Sequence, residues 1–160
     1  MNSKIQWVCP ALLLLLTGLF SCNRRDSVYF QYNHIPAEGW NKNNELKFRP
    51  DIRDSGKGYD MSIELRHNND YPYQNIYFFV SLIHNDREVL KTDTLQYLLA
   101  DEFGRWKGNG CNALYQQSLV YKSKFSFPDT GKYQIVIRQA MRDDVLRGVE
   151  DVGLRIETAK

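Results

Sequence analysis

The stretch Tyr59-Asp60-Met61-Ser62-Ile63-Glu64-Leu65-Arg66 alternates apolar and polar side chains without a break. Successive side chains of an extended strand point to opposite faces. Tyr59, Met61, Ile63 and Leu65 therefore share one face, and Asp60, Ser62, Glu64 and Arg66 the other. The pattern predicts a strand with one face on a core and one in water. Tyr133, Ile135 and Ile137 alternate in the same way with Lys132, Gln134 and Arg138. Val152, Leu154 and Ile156 alternate with Asp151, Gly153, Arg155 and Glu157. The run 76–83 (IYFFVSLI) is apolar on both faces and reads as a central strand covered on both sides, or as a strand at a partner interface.

Working outward, weaker strands are expected at 28–32, 46–48, 89–98 and 119–127, with turn signals such as Pro36-Ala37-Glu38-Gly39 and Pro128-Asp129-Thr130-Gly131 between strands. The segment 140–149 (AMRDDVLRGV) reads as a loop with a helical turn. About eight short strands with no convincing amphipathic helix predict an all-β chain. The expected architecture is a single antiparallel β-sandwich, of jelly-roll or immunoglobulin-like topology.

The N-terminus sets the compartment. Residues 1–22 read MNSKIQWVCPALLLLLTGLFSC. A span needs about 18 consecutive apolar residues, and this run is too short and too interrupted. It reads as a signal peptide. Leu19-Phe20-Ser21-Cys22 resembles the bacterial lipobox, with Phe20 bulkier than usual. The resemblance implies cleavage between Ser21 and Cys22 and lipid on Cys22. The expected organisation is a signal peptide at 1–21, a lipidated tether at 22–27 and the sandwich at 28–160. Two or three acyl chains on one residue anchor stably where one does not.

Cys9 leaves with the signal peptide and Cys22 carries lipid, so Cys111 alone remains, and no internal disulfide or Cys-based metal site is expected. The formal charge of +2 becomes +1 once Lys4 is removed, which gives no support for nucleic-acid binding.

Three groups of residues bear on chemistry. His34, His67 and His84 are scattered without metal-ligand spacing, and read as solvated or singly hydrogen-bonded. Asp93, Asp101 and Glu102 show neither a calcium pattern nor a readable acid–base pair. Trp40, Trp106 and several tyrosines fall near turns, where they either cap the core or form binding platforms. No cofactor, metal site or catalytic residue is expected. The stretch Asn68-Asn69-Asp70-Tyr71-Pro72-Tyr73-Gln74-Asn75 joins two strong strands. Its amides bond local backbone, Pro72 extends Tyr71, and both tyrosines lean on the sandwich rim.

That stretch, with Arg66-His67 before it, belongs to an ordered set of unusual segments. The others are Pro36-Ala37-Glu38-Gly39-Trp40, Asp93-Thr94-Leu95, Ala100-Asp101, Gly104-Arg105-Trp106-Lys107-Gly108, Phe127-Pro128-Asp129-Thr130-Gly131-Lys132-Tyr133, Gln139-Ala140-Met141-Arg142 and 148–154 (GVEDVGL). Over nearly the whole mature length the chain resembles the GldH gliding-motility lipoprotein family of the Bacteroidetes. The resemblance implies a non-enzymatic envelope protein, lipid-anchored through Cys22 and needed for gliding. It further implies links to other gliding or secretion lipoproteins of the type IX secretion machinery. The periplasmic face of the outer membrane is the expected location. Partner-binding candidates are Asn69, Asp70, Tyr71, Tyr73, Trp106 and Arg142. The alternative is a carbohydrate-binding sandwich of a surface glycan system.

Overall fold

The computed structural model describes residues 26–85 and 88–160, the side chains of Glu88 and Cys111 excepted. The expected signal peptide, the cleavage site at Ser21 and Cys22, and most of the tether lie outside the described residues. The strands among the described residues are β1 (Ser27–His34), β2 (Trp40–Asn41), β3 (Leu46–Phe48), β4 (Asp51–Ile52), β5 (Tyr59–Asn68), β6 (Asn75–His84), β7 (Glu88–Leu98), β8 (Asn109–Cys111), β9 (Leu114–Phe125), β10 (Gly131–Gln139), β11 (Val145–Leu146) and β12 (Val149–Thr158). Of these, β2, β4, β8 and β11 are only two or three residues long, too short for alternation to reveal.

All the strand pairings among the described residues are antiparallel. One sheet has the order β1-β12-β5-β9-β8; the other runs β3-β10-β6-β7, with β4 also on β10. Their inner faces meet in one core. Met61, Ile63, Leu65, Leu154 and Ile156 come from the first sheet; Phe78, Val80, Ile135 and Ile137 come from the second. Trp40, on β2, is fully buried beside Phe78, with ring centroids 6.0 Å apart, and its indole N–H donates to the Asn44 carbonyl at 3.0 Å. One flank, where β7 and β9 approach, is closed by Asp93. Its carboxylate accepts from Tyr121 Oη at 3.0 Å and pairs with Lys122 at 2.9 Å and Lys91 at 3.1 Å. Burial alone would raise its pKa, yet these three donors hold it below the ordinary carboxylate value.

Three sequence expectations change. The outer face of β5 is not simply in water, because Glu64 on it is 1 % exposed. Neighbouring strands supply its cover: Glu64 Oε1 accepts from Ser62 at 2.9 Å, Ser118 on β9 at 2.8 Å and Arg155 Nε on β12 at 3.0 Å. β6 is central by pairing, but Tyr77, Phe79, Ser81 and Ile83 on its outer face stay partly open, which removes the expectation of cover on both sides and not the alternative of a partner interface. Residues 140–149 form no helical turn. The Gln139 side chain takes their polar groups instead, accepting from Met141 N–H at 2.8 Å and donating to the Asp143 carbonyl at 2.9 Å, and Val145–Leu146 pairs with β2.

The two faces should respond differently to truncation. Ile63→Ala, at a fully buried position, is expected to cost about 2–5 kcal/mol in urea unfolding. Val120→Ala, 65 % exposed on the outer face, should stay within about 0.5 kcal/mol. Equal effects would contradict this assignment of faces.

Candidate functional site: the rim of sheet-to-sheet connections

Register places the end of β5 beside the starts of β9 and β12, with Asn68 opposite Leu114 and His67 opposite Val149. On the second sheet, Asn75 lies opposite Leu98. One rim of the sandwich therefore gathers four connections: 35–45, 69–74, 99–108 and 140–148. Each passes from one sheet to the other.

The 69–74 connection is held from several sides. Asn68 Oδ1 accepts from Asp70 N–H at 2.8 Å, and its amide donates to Glu150 at 2.6 Å. Tyr71 is 3 % exposed and donates its hydroxyl to the Asn75 carbonyl at 2.7 Å. Burial first, then Tyr73 and Asp143, drive its pKa well above the ordinary tyrosine value. Gly148, at φ +79°, presses on this segment: a Cβ there would stand 2.2 Å from Tyr71 N. Tyr73 Oη donates to Asp143, 2.9 Å from either oxygen, a bond that raises its pKa.

Behind Tyr71 sits His67, fully buried. Its ring meets Trp106 edge-on at 4.5 Å, stacks with Tyr115 at 5.5 Å and tilts against Tyr71 at 5.5 Å. Nδ1 lies 3.2 Å from the Asn68 carbonyl oxygen, which suits an Nδ1–H donor, and Nε2 is buried without a partner among the described residues. Burial lowers the His67 pKa. Trp106 Nε1–H donates to Asn69 Oδ1 at 3.3 Å, tying the 99–108 loop to the 69–74 connection. Within that loop Asp101 accepts from Phe103 N–H and Arg105 N–H, each at 2.9 Å, and meets Arg105 Nε at 2.8 Å.

The candidates thus divide. Asn69, Tyr71 and Trp106 are joined in one packed unit around His67. Tyr73 and Arg142 lie together over a shallow hollow of about 400 Å³ with Met141 and Tyr77. Asp70 lies in a separate hollow of about 680 Å³ with Arg147 and Glu150. Tyr71 is a buried brace, whereas Asn69, Asp70 and Arg142 are exposed. Sequence reasoning missed Phe103, 74 % exposed at the rim under the Arg105 guanidinium, 5.3 Å from the ring centroid. Its position in the Asp101-to-Gly104 turn was the available signal. Among the described residues no three His, Cys, Asp or Glu side chains are grouped to hold a metal ion.

The fold is an all-β, antiparallel two-sheet sandwich with an aromatic rim and open hollows. The chain is a member of the GldH lipoprotein family, whose model matches residues 27–156. It is 35 % identical over 153 residues to the gliding motility lipoprotein GldH of Flavobacterium johnsoniae, covering 91 % of this chain and 93 % of the relative. A GldH homolog of Christiangramia forsetii is 38 % identical over 146 residues, covering 87 % of this chain and 88 % of the relative. Among solved structures, a 4-O-methyl-alpha-glucuronidase specific for decorated arabinogalactans aligns at TM-score 0.48 and 16 % identity, over 83 % of this chain and 18 % of its own; that likeness bears on neither fold nor function.

Because the folded His67 resists protonation, the unfolded chain binds this proton at higher pH. Its contribution to stability is complete above the unfolded value of about 6.5 and is lost as pH falls below it. The melting temperature should fall between about pH 7 and pH 5, and His67→Phe should flatten that fall, whereas the lowered Asp93 and Asp101 contribute losses only below about pH 4. An unchanged slope in the variant would contradict the assignment. Gly148→Ala should cost more than about 1 kcal/mol in the same measurement.

Proposed function

We propose that the chain is a lipid-anchored protein of the cell envelope, required for gliding motility. In this reading it acts without catalysis, as an assembly or stabilising partner of the gliding and type IX secretion machinery. Family membership supports the motility role. The observation that carries the docking role is that the start of β1 and the rim lie at opposite ends of the sandwich. Ser27 pairs with Glu157, far along β12 from Val149, while His34 at the other end of β1 pairs with Asp151.

Cys22 precedes Ser27 by five residues, a reach of at most about 18 Å. The ten residues of β5 alone span about 33 Å. A lipid on Cys22 therefore holds the Ser27 end near the membrane and turns the rim away from it, towards other envelope proteins. Confinement to the surface raises effective concentration, so a modest interface suffices. In this reading Phe103 is the apolar anchor of that interface, Asn69, Asp70, Tyr73, Trp106 and Arg142 are further contacts on the same rim, and Tyr71 braces the 69–74 connection from within. We place the lipid at the periplasmic face of the outer membrane. Asn23 is not the Asp that favours inner-membrane retention, and Arg24-Arg25 lacks an acidic export cluster.

The combined variant Phe103→Asp, Arg142→Glu alters only exposed side chains, so its stability should stay within about 0.5 kcal/mol. In a gliding host lacking its own family member it should fail to restore gliding and fail to crosslink gliding or secretion components. Cys22→Ala should lose the same capture. Normal gliding with unchanged capture by the folded double variant would overturn the docking role.

A further inference from the structure

We propose that the outer face of the five-stranded sheet carries a binding groove for a neutral polyhydroxylated chain, an oligosaccharide, whose hydrogen-bonding floor is set by Glu64. The groove holds about 850 Å³ and runs over β5 and β9, from Asn109 at the rim to Lys122 towards the other end. It is independent of the rim contacts and of the lipid.

Glu64 is the unusual feature. An outward-facing valine or threonine would pair this sheet as well, and a desolvated carboxylate adds little stability. What Glu64 does is fix the polarity of its neighbours. The Ser62 and Ser118 hydroxyls both donate to Glu64 Oε1, so their protons are committed and their lone pairs remain for the groove. Arg155 gives Nε to the same oxygen at 3.0 Å and has further N–H groups, one nitrogen lying 3.6 Å from Glu157. Beside Glu64, the Tyr32 ring lies across Gly153, 2.8 Å from where a Cβ would stand, and its hydroxyl is buried without a partner among the described residues.

This floor selects its ligand. Serines that can only accept need a ligand that donates, which a carboxylate or a phosphodiester does not. Arg155 has further N–H groups to give to an acceptor. Sugar hydroxyls do both at short spacing, and Val120 and Leu114 in the lining suit the C–H faces of sugar rings. The lining charges nearly balance, three acids against Arg155 and Lys122, which disfavours a polyanion. An extended peptide would need an open strand edge, and β5 is paired on both sides, to β12 and β9.

The test uses the mature lipoprotein in a detergent without a sugar headgroup. Cellohexaose, xylohexaose, mannohexaose and chitohexaose are titrated by calorimetry, with hexagalacturonate as the charged probe. At least one neutral hexasaccharide should bind and hexagalacturonate should not. Ser118→Ala should weaken that binding by about threefold to tenfold. Val120→Arg, at a 65 % exposed position that the fold does not depend on, should abolish it with melting unchanged. The proposal is overturned if no neutral probe binds up to about 5 mM, if hexagalacturonate binds best, or if Val120→Arg binds as well as the parent.

Discussion

Gly148 pressed against the backbone of Tyr71 is the contact on which the rim depends. The chain must leave one sheet at Asn68 and enter the other at Asn75, and Tyr71 fills the space between them while its hydroxyl closes on the Asn75 carbonyl. No side chain fits at position 148 without displacing that crossing, and the positive φ there favours glycine. The Asn68 N–H then bonds the Gly148 carbonyl at 2.8 Å, locking the entry of β12 to the exit of β5. The other connections build on this base: Trp106 reaches it through Asn69, and Tyr73 reaches the 140–148 connection through Asp143.

Three polar groups are drawn out of water by the sandwich. Asp93 clips the flank with two lysines and a tyrosine. His67 sits neutral inside an aromatic cage. Glu64 orients two serines and an arginine on a face that alternation alone assigns to solvent. Each costs desolvation, and each is offset by named donors or by ring contacts. His67 Nε2 and the Tyr32 hydroxyl have no hydrogen-bond partner among the described residues.

Much of the fold was legible in the sequence, because β5, β10 and β12 follow the alternation of their inner face residue by residue. The short strands were not, since two residues carry no period. The buried state of Glu64 was not legible either. It depends on β9 and β12 lying on both sides of β5, which is a matter of sheet order. Likewise, the tyrosines of the 69–74 connection were readable as rim residues, but only packing divides buried Tyr71 from half-exposed Tyr73. Phe103 was passed over because one aromatic in a polar turn looks the same whether it folds inward or stands out.

The central claim is that membrane attachment and partner docking occupy opposite ends of one rigid sandwich. A photo-crosslinking amino acid placed at Phe103, and separately at Lys57 near the start of β5, tests it in native membranes. Protein adducts are expected from position 103 and lipid adducts from position 57. Lipid adducts from position 103, or the same protein adducts from both, would contradict it.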